Sequence, residues 1–273
     1  MNEIFVPTRN SGRTLARCLA TIMGEIPCAE ITVIDNYSTD DTLEIAKQYD
    51  CKVVQSHFNL GEARTYMCES ATKPWFFMVD SDVYLSDGWY ESIIKEKESL
   101  LCKDPMVGVI QSNNVDTPTI TSEKVLALQD FITWRHSARK NYPIKNPKRL
   151  LTCAVYVRKE AVRGFKTKVS AYEDYLLGKY VNEKGYNVYL VNARVYHDEL
   201  ISLETFKKRN RCAGAFETIT GFSTKKRILA ALFYTPLFKA PWGTKQIAFR
   251  AYWNYLVGAF NQQKYLGGKW NEP

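Results

Sequence analysis

Two carboxylates one residue apart, Asp80 and Asp82, close an apolar run, Trp75-Phe76-Phe77-Met78-Val79. A run of that composition is a buried strand, and ending it with two acids costs free energy unless a cation or hydrogen bonds compensate. Acids at this spacing can present oxygens to a hard divalent ion, which in turn bridges phosphate oxygens. Ser81 between them also fits a plain turn. Three other apolar runs end in polar groups: Pro7-Thr8-Arg9-Asn10, Asp35-Asn36 and, after a short loop, Asn59-Leu60-Gly61. A lone Asp after a strand is usually a cap or a turn former, but four polar strand ends meeting in one crevice require more than that. A second acidic pair, Glu173-Asp174, lies near the start of a helix. Ser170-Ala171-Tyr172-Glu173 has capping-box spacing, which gives Glu173 a structural task that Asp174 lacks. His197 ends a strand beside Asp198 and Glu199, whereas His57 and His136, in a loop and a polar helix, are assigned no role.

The elements that must position these groups alternate. Apolar runs at Glu3–Val6, Ile31–Asp35, Lys52–Gln55 and Trp75–Asp80 alternate with helical patterns at Thr14–Met23, Thr39–Tyr49 and Glu62–Ser70. Right-handed crossovers then build a mostly parallel α/β sheet with helices on both faces. Ser38-Thr39-Asp40-Asp41 reads as a capping box for the second helix. A helix over Gly88–Leu101, opened by Trp89, and a strand over Val107–Gln111 continue the pattern. Asn113–Thr121 then reads as a loop, Ser122–Lys140 as one long helix and the two-proline stretch Asn141–Lys148 as a connector. Leu151–Val157 is a strand, Tyr172–Glu183 a helix ended by Gly185, and Tyr186–Val191 and Ala193–Tyr196 two further strands, before a helical, aromatic stretch from Ser202.

The ordered set resembles family 2 glycosyltransferases of the GT-A fold. It comprises Pro7-Thr8-Arg9-Asn10, Val33-Ile34-Asp35-Asn36 with Ser38-Thr39-Asp40, Asn59-x-Gly61, Val79-Asp80-Ser81-Asp82 and Glu173-Asp174-Tyr175-x-Leu177. The resemblance runs from about residue 3 to 221 and implies a metal-dependent, inverting transfer of sugar from a UDP- or GDP-linked nucleotide-diphospho-sugar. On it, Pro7, Thr8, Arg9 and Asp35 hold base and ribose, with Ser81 and Arg64 also facing the donor. Asp80 is the ribose- or metal-facing acid, and Asp82, with His197 nearby, the Mn²⁺ or Mg²⁺ ligand. Asp174, beside Glu173, is the general base. The stretch from Gly61 to Asp80 is about two residues shorter than the family pattern, which leaves two places open for Arg64, facing the nucleotide or turned onto solvent.

Composition sets the remaining bounds. Of 273 residues 45% are hydrophobic and 24% charged, which excludes disorder. Seven dispersed cysteines, with no CxxC pair, fit reduced thiols rather than a disulfide scaffold or zinc ribbon. The N-terminus has no signal-peptide pattern. Charge is uneven: residues 1–200 hold 25 Lys and Arg against 26 Asp and Glu, whereas residues 201–273 hold 12 against 3. The tail, with Lys225-Lys226-Arg227 before Ile228–Phe238 and interleaved Trp and Tyr, suits an interfacial helix on an anionic membrane, or a helical hairpin packed on the catalytic domain with a solvated basic face. The apolar run falls short of the roughly 20 residues that span a bilayer. A domain of residues 1–221, with donor-binding (1–111) and acceptor (112–221) halves, is therefore expected to carry a basic amphipathic helical extension at 222–273. That arrangement places the chain on the cytoplasmic face of the membrane, acting on a lipid-linked or membrane-associated acceptor. No nucleic-acid motif accompanies the basic patch. Two readings of other classes compete: a sugar-phosphate nucleotidyltransferase, disfavoured because Pro7–Gly12 is no glycine-rich loop, and a non-catalytic membrane adaptor on the same fold.

Overall fold

The computed structural model describes residues 1–116, 119–120, 141–198, 200–220 and 245–260. The expected helix at 122–140, the basic run 225–227, the apolar run 228–238 and Glu199 lie outside the described residues. In chain order the first elements are β1 (Asn2–Thr8), α1 (Gly12–Glu25), β2 (Ala29–Asp35), α2 (Thr42–Gln48), β3 (Lys52–Gln55), α3 (Leu60–Ser70), β4 (Trp75–Val79), β5 (Val83–Leu85) and α4 (Trp89–Lys103). They continue with β6 (Val107–Asp116), β7 (Thr119–Ile120), β8 (Ile144–Lys145), β9 (Ala154–Arg158), α5 (Lys159–Val162), α6 (Glu173–Glu183) and β10 (Asn187–His197). Last come β11 (Leu200–Ile201), α7 (Leu203–Thr220) and α8 (Lys245–Phe260).

Period-two alternation sends side chains to both faces of the sheet. Ile4, Val6, Phe77 and Val79 join Leu15, Leu19, Trp89 and Ile93 on one face. Phe5, Phe76 and Met78 join Ala63, Met67, Leu177 and Val181 on the other. The strand order is β3-β2-β1-β4-β9-β6-β10-β5, with β8 also paired to β10. Six strands run one way, and β5, β8 and β9 run against them. The carboxyl ends of β1, β2, β3 and β4 thus lie on one rim.

Three readings of the sequence change here. The polar stretch from Asn113 is not a loop: β6 continues to Asp116 because its backbone ladders with β10, Asn113–Asp116 facing Arg194–His197. The two expected strands at 186–196 are one, β10, with a register shift between Leu190 and Arg194. The second helix starts at Thr42 with Asp41 at its N-cap position, so Ser38 lies outside it, its oxygen accepting from Asn10 N–H and its O–H donated to Asp35. Gly185 does end α6, in the left-handed region at φ +83. Trp89 is core, 1% exposed, its indole N–H donating to the Ser112 hydroxyl at 3.0 Å.

Asp104 ties the connector to the sheet. Its carboxylate accepts from Met106 N–H at 2.9 Å, Lys145 Nζ at 3.0 Å, Asn187 Nδ2 at 2.8 Å and the Tyr189 hydroxyl at 2.8 Å. Burial works against the ionised form, but these donors outweigh it and lower the pKa to about 2. An acid depressed on folding stabilises above its unfolded pKa, and that contribution disappears as pH falls through the folded value. Asp104→Asn is therefore expected to cost on the order of 1–2 kcal/mol near neutrality. In urea unfolding the difference from wild type should shrink between pH 4 and 2; a pH-independent difference would contradict the linkage.

The chain divides into two compact units: residues 1–117, 141–168 and 173–198 form one, and 118–140, 169–172 and 199–273 the other. Within the second, α7 and α8 pack antiparallel at glycines. A Cβ on Gly214 would lie 1.9 Å from the Tyr255 carbonyl oxygen, and one on Gly258 1.8 Å from that of Arg211. No helix among the described residues is long and apolar enough to cross a membrane.

Candidate functional site

Every residue singled out for chemistry belongs to the first unit, and most gather at the rim where the parallel strands end. Asp35, fully buried, closes β2. Its carboxylate accepts from the Thr8 hydroxyl at 3.1 Å, Ser38 N–H at 3.0 Å, the Ser38 hydroxyl and Gln55 Nε2 at 3.2 Å. These four donors fill about four lone-pair directions, so a ligand N–H would have to replace one of them. Ser38 also accepts from Asn10 N–H at 2.8 Å, and the Ser11 and Ser81 hydroxyls bond at 2.8 Å, joining the ends of β1, β2 and β4. Thr8 is buried, Pro7 half-buried and Arg9 exposed.

Arg64 is not displaced to solvent: it is fully buried. The cause is local. Asn59 caps α3 by accepting from Glu62 N–H at 3.0 Å, while Glu62 accepts from Asn59 N–H at 3.0 Å. Starting the helix at Leu60 turns Gly61, Arg64, Met67 and Cys68 to the sheet. There the guanidinium donates from Nη2 to Asp80 Oδ1, with Glu173 Oε1 4.0 Å from Nε. Nε itself has no hydrogen-bond partner among the described residues. Burial alone would lower the Arg64 pKa, but Asp80 and Glu173 reverse this and hold the charge. Burial raises Asp80 above the usual carboxylate range, with Arg64 pulling it back in part.

Glu173 and Asp174 open α6, 5% and 6% exposed. The expected capping box is absent, since the buried Ser170 hydroxyl has no partner among the described residues. Asp174 Oδ2 accepts from Arg149 Nε at 3.0 Å and Nη2 at 2.8 Å, and Oδ1 from Tyr175 N–H at 2.6 Å. Burial, then the neighbouring Asp174 charge, push Glu173 well above the carboxylate range, against the pull of Arg64. The chain Asp80–Arg64–Glu173 therefore ties the end of β4 to the start of α6.

On the other side of Asp80, His197 Nε2 lies 3.4 Å from Asp82 Oδ2. Asp198 N–H donates to the Asp82 carbonyl at 2.8 Å, and the Asp198 carboxylate accepts from Arg13 at 3.0 Å and the Tyr84 hydroxyl at 3.1 Å. Among the described residues no three His, Cys, Asp or Glu side chains form a ready-made metal cage. Mg²⁺-like ions, however, are commonly held by one or two protein ligands plus substrate phosphates and water. A half-buried carboxylate beside an imidazole at the crevice rim fits that kind of site. Asp80, with Oδ1 engaged by Arg64, fits it less directly. Arg149, Arg13, Tyr84 and Asp198 were not among the residues expected from sequence. Arg149 directly follows the proline-containing connector, where nothing local marks it.

Comparisons with known proteins give the fold and the family. The Glycosyl transferase family 2 model matches residues 3–165. The succinoglycan biosynthesis protein ExoU of Rhizobium meliloti (strain 1021) is 30% identical over 92 residues, 31% of this chain. That match spans only 27% of the relative's length. S. aureus TarS 1–349, solved with UDP-GlcNAc, superposes with a TM-score of 0.55 at 15% identity, covering 97% of this chain and 92% of that one. The mannosyltransferase PcManGT of Pyrobaculum calidifontis, solved with GDP-Man and Mn²⁺, gives 0.56 at 16% identity, covering 97% and 73%. At such identities the two structures establish the fold, the GT-A arrangement of a mixed sheet between helices. The matched family model covers more than half of the chain, including β1, β2, β4 and the polar residues that close them: this protein belongs to glycosyl transferase family 2.

Proposed function

We propose that this chain transfers a sugar from a UDP- or GDP-linked nucleotide-diphospho-sugar to an acceptor hydroxyl, with inversion and with a divalent cation, Mn²⁺ or Mg²⁺. The observation that carries the reading is the linked set Asp82–His197, Asp80–Arg64–Glu173 and Asp174–Arg149 at the carboxyl rim of the sheet. Asp35, Thr8 and Ser38 form the floor for the nucleoside, and Arg9 and Ser81 flank it. Asp82 and His197 would hold the cation, which when bound supplies positive charge to a departing diphosphate. Asp80 fixes Arg64, whose buried charge adds to that field. Asp174, its orientation set by Arg149 and the Tyr175 N–H, takes the proton of the acceptor hydroxyl.

Asp82→Ala tests the metal role. Calorimetry should show that Mn²⁺ strengthens UDP or GDP binding to the wild type and that this strengthening falls at least tenfold in the variant. Equal Mn²⁺ dependence in both proteins would remove Asp82 from the site. An adaptor without chemistry would show no metal-dependent nucleotide binding at all.

The acceptor is proposed to be lipid-linked or membrane-associated, the protein resting on an anionic, cytoplasm-facing membrane surface. Supporting this, Phe249, Trp253 and Phe260 are 55%, 60% and 72% exposed and fall on one stripe of α8. Asn254 and Gly258, on the opposite stripe, are buried. Aromatic residues at headgroup depth, with a basic excess around them, match what an interface selects. Changing all three aromatics to serine should at least halve sedimentation with phosphatidylglycerol vesicles while leaving nucleotide affinity intact. Undiminished sedimentation would exclude this face as the contact.

A further inference from the structure

Tyr37 is a bulky residue in a backbone conformation that bulky residues avoid, with φ at +46. A side chain kept in the left-handed region against its steric cost is a reason to look for a task outside the fold. Packing does not supply one, for Tyr37 is 49% exposed and belongs to neither apolar cluster. Instead its ring stacks on His57, with centroids 4.1 Å apart and planes 29° apart. His57 is exposed as well. The two residues lie just beyond the carboxyl ends of β2 and β3, on the rim where an open α/β sheet binds its ligand. The ladder continues past the strand ends there, Asn36 N–H reaching the Thr8 carbonyl at 3.0 Å and Ser56 N–H the Asp35 carbonyl at 3.0 Å. Tyr37 is thereby held between the Asp35 carboxylate, two residues before it, and the Ser38 that bonds to that carboxylate.

An exposed π-face beside a polar edge is what a planar heterocycle needs. The face stacks on any base, while hydrogen-bonding groups at the edge distinguish bases. Here the edge is the exposed Gln55 amide, fixed by its 3.2 Å bond to the buried Asp35 carboxylate.

We propose that the Tyr37–His57 stack is the platform for the nucleobase of the donor, the ring lying against Tyr37 with its edge toward the Gln55 amide. The inference rests on the nucleotide-sugar reading and adds the residues that grip the base. His57 holds the Tyr37 ring in place, and the base–tyrosine contact supplies affinity that is independent of the metal.

The experiment is calorimetry with Mn²⁺ present, titrating UDP, GDP and inorganic pyrophosphate into the full chain and its Tyr37→Ala, Tyr37→Phe, Tyr37→Gly and His57→Ala variants. Tyr37→Ala should weaken whichever nucleotide the wild type binds by about tenfold or more, as loss of one stacked base predicts. Tyr37→Phe should stay within about twofold, His57→Ala should fall between, and pyrophosphate, which has no base, should bind all five proteins alike. Melting curves separate this from a structural role. Glycine removes the steric cost at φ +46, so Tyr37→Gly should melt higher than wild type while binding nucleotide less well. Unchanged nucleotide affinity in Tyr37→Ala overturns the proposal, as does an equal loss of pyrophosphate or a lower melting point in Tyr37→Gly. If the wild type binds pyrophosphate but neither nucleotide, the donor reading falls together with the platform.

Discussion

Asp174→Asn is expected to lower sugar transfer by about 10²–10⁴-fold, the usual contribution of a positioned general base, with nucleotide affinity kept within about twofold. Asparagine is close in size and can still accept from Arg149, so the variant isolates basicity from packing. A carboxylate offers about four lone-pair directions. Among the described residues, Arg149 Nε and Nη2 and the Tyr175 N–H use three for Asp174. An acceptor hydroxyl needs only the remaining one, and the arginine keeps it pointed in a fixed direction. Glu173, by contrast, has a structural partner in Arg64 and is pushed toward its neutral form by burial and by Asp174, which suits it poorly to taking a proton at the rim. The measurement is released nucleotide and transferred sugar at saturating donor. Turnover like that of wild type would remove Asp174 from the mechanism, whereas matched losses of nucleotide affinity and turnover would mean a damaged fold.

Much of this site could be read in the sequence, because strand ends are local features. Hydrophobic alternation placed β1, β2 and β4, and the polar groups that close them, Thr8, Asp35 and Asp80, necessarily share a rim once the strands are parallel. Glu173-Asp174 could be recognised as a pair for the same reason. What sequence hid were partnerships between distant segments. Arg13 and Asp198 are 185 residues apart, and Arg149 reaches Asp174 across 25 residues from the end of a connector with no periodicity of its own. The capping boxes show a subtler failure. Ser38 has the right residue type and spacing, yet the helix starts only at Thr42 and the Ser38 oxygen accepts from Asn10 N–H instead, while the Asn59–Glu62 box, read only as part of a polar strand end, is the one that forms. That box decided the fate of Arg64. Comparing segment lengths left solvent open, but helix phase set by the cap carried the guanidinium into the core. Tyr37 and His57 left no sequence trace, because a positive φ at a tyrosine and a ring stack between two loops are visible only in coordinates.

Replacing Arg64 by methionine should be the most damaging single change to stability, because it removes the counter-charge of the buried Glu173 and of the half-buried Asp80. Breaking a fully buried ion pair from one side costs about 3–5 kcal/mol, and the 24% exposure of the Asp80 side chain places this pair toward the lower end. In this protein Asp80 bonds directly to the guanidinium and Glu173 lies 4.0 Å from it. Lysine should rescue only part of the loss, as a single ammonium cannot reproduce the planar fork that faces both acids. A second substitution tests the assignment from the opposite direction. Burial raises the Glu173 pKa on folding, so above the unfolded value, about 4.3, the unfolded chain releases this proton more readily than the folded one. Stability attributable to Glu173 therefore falls as pH rises through that window. Glu173→Gln removes the penalty, so it should stabilise the protein at neutral pH, with the gain vanishing below about pH 4, where both states are protonated. Combined with Arg64→Met, it should restore part of the lost stability, giving a double-mutant cycle that does not close additively. Urea unfolding at pH 4 and pH 7.5 measures all four corners. An Arg64→Met protein as stable as wild type, or strict additivity at both pH values, would mean that the guanidinium is not what balances these acids.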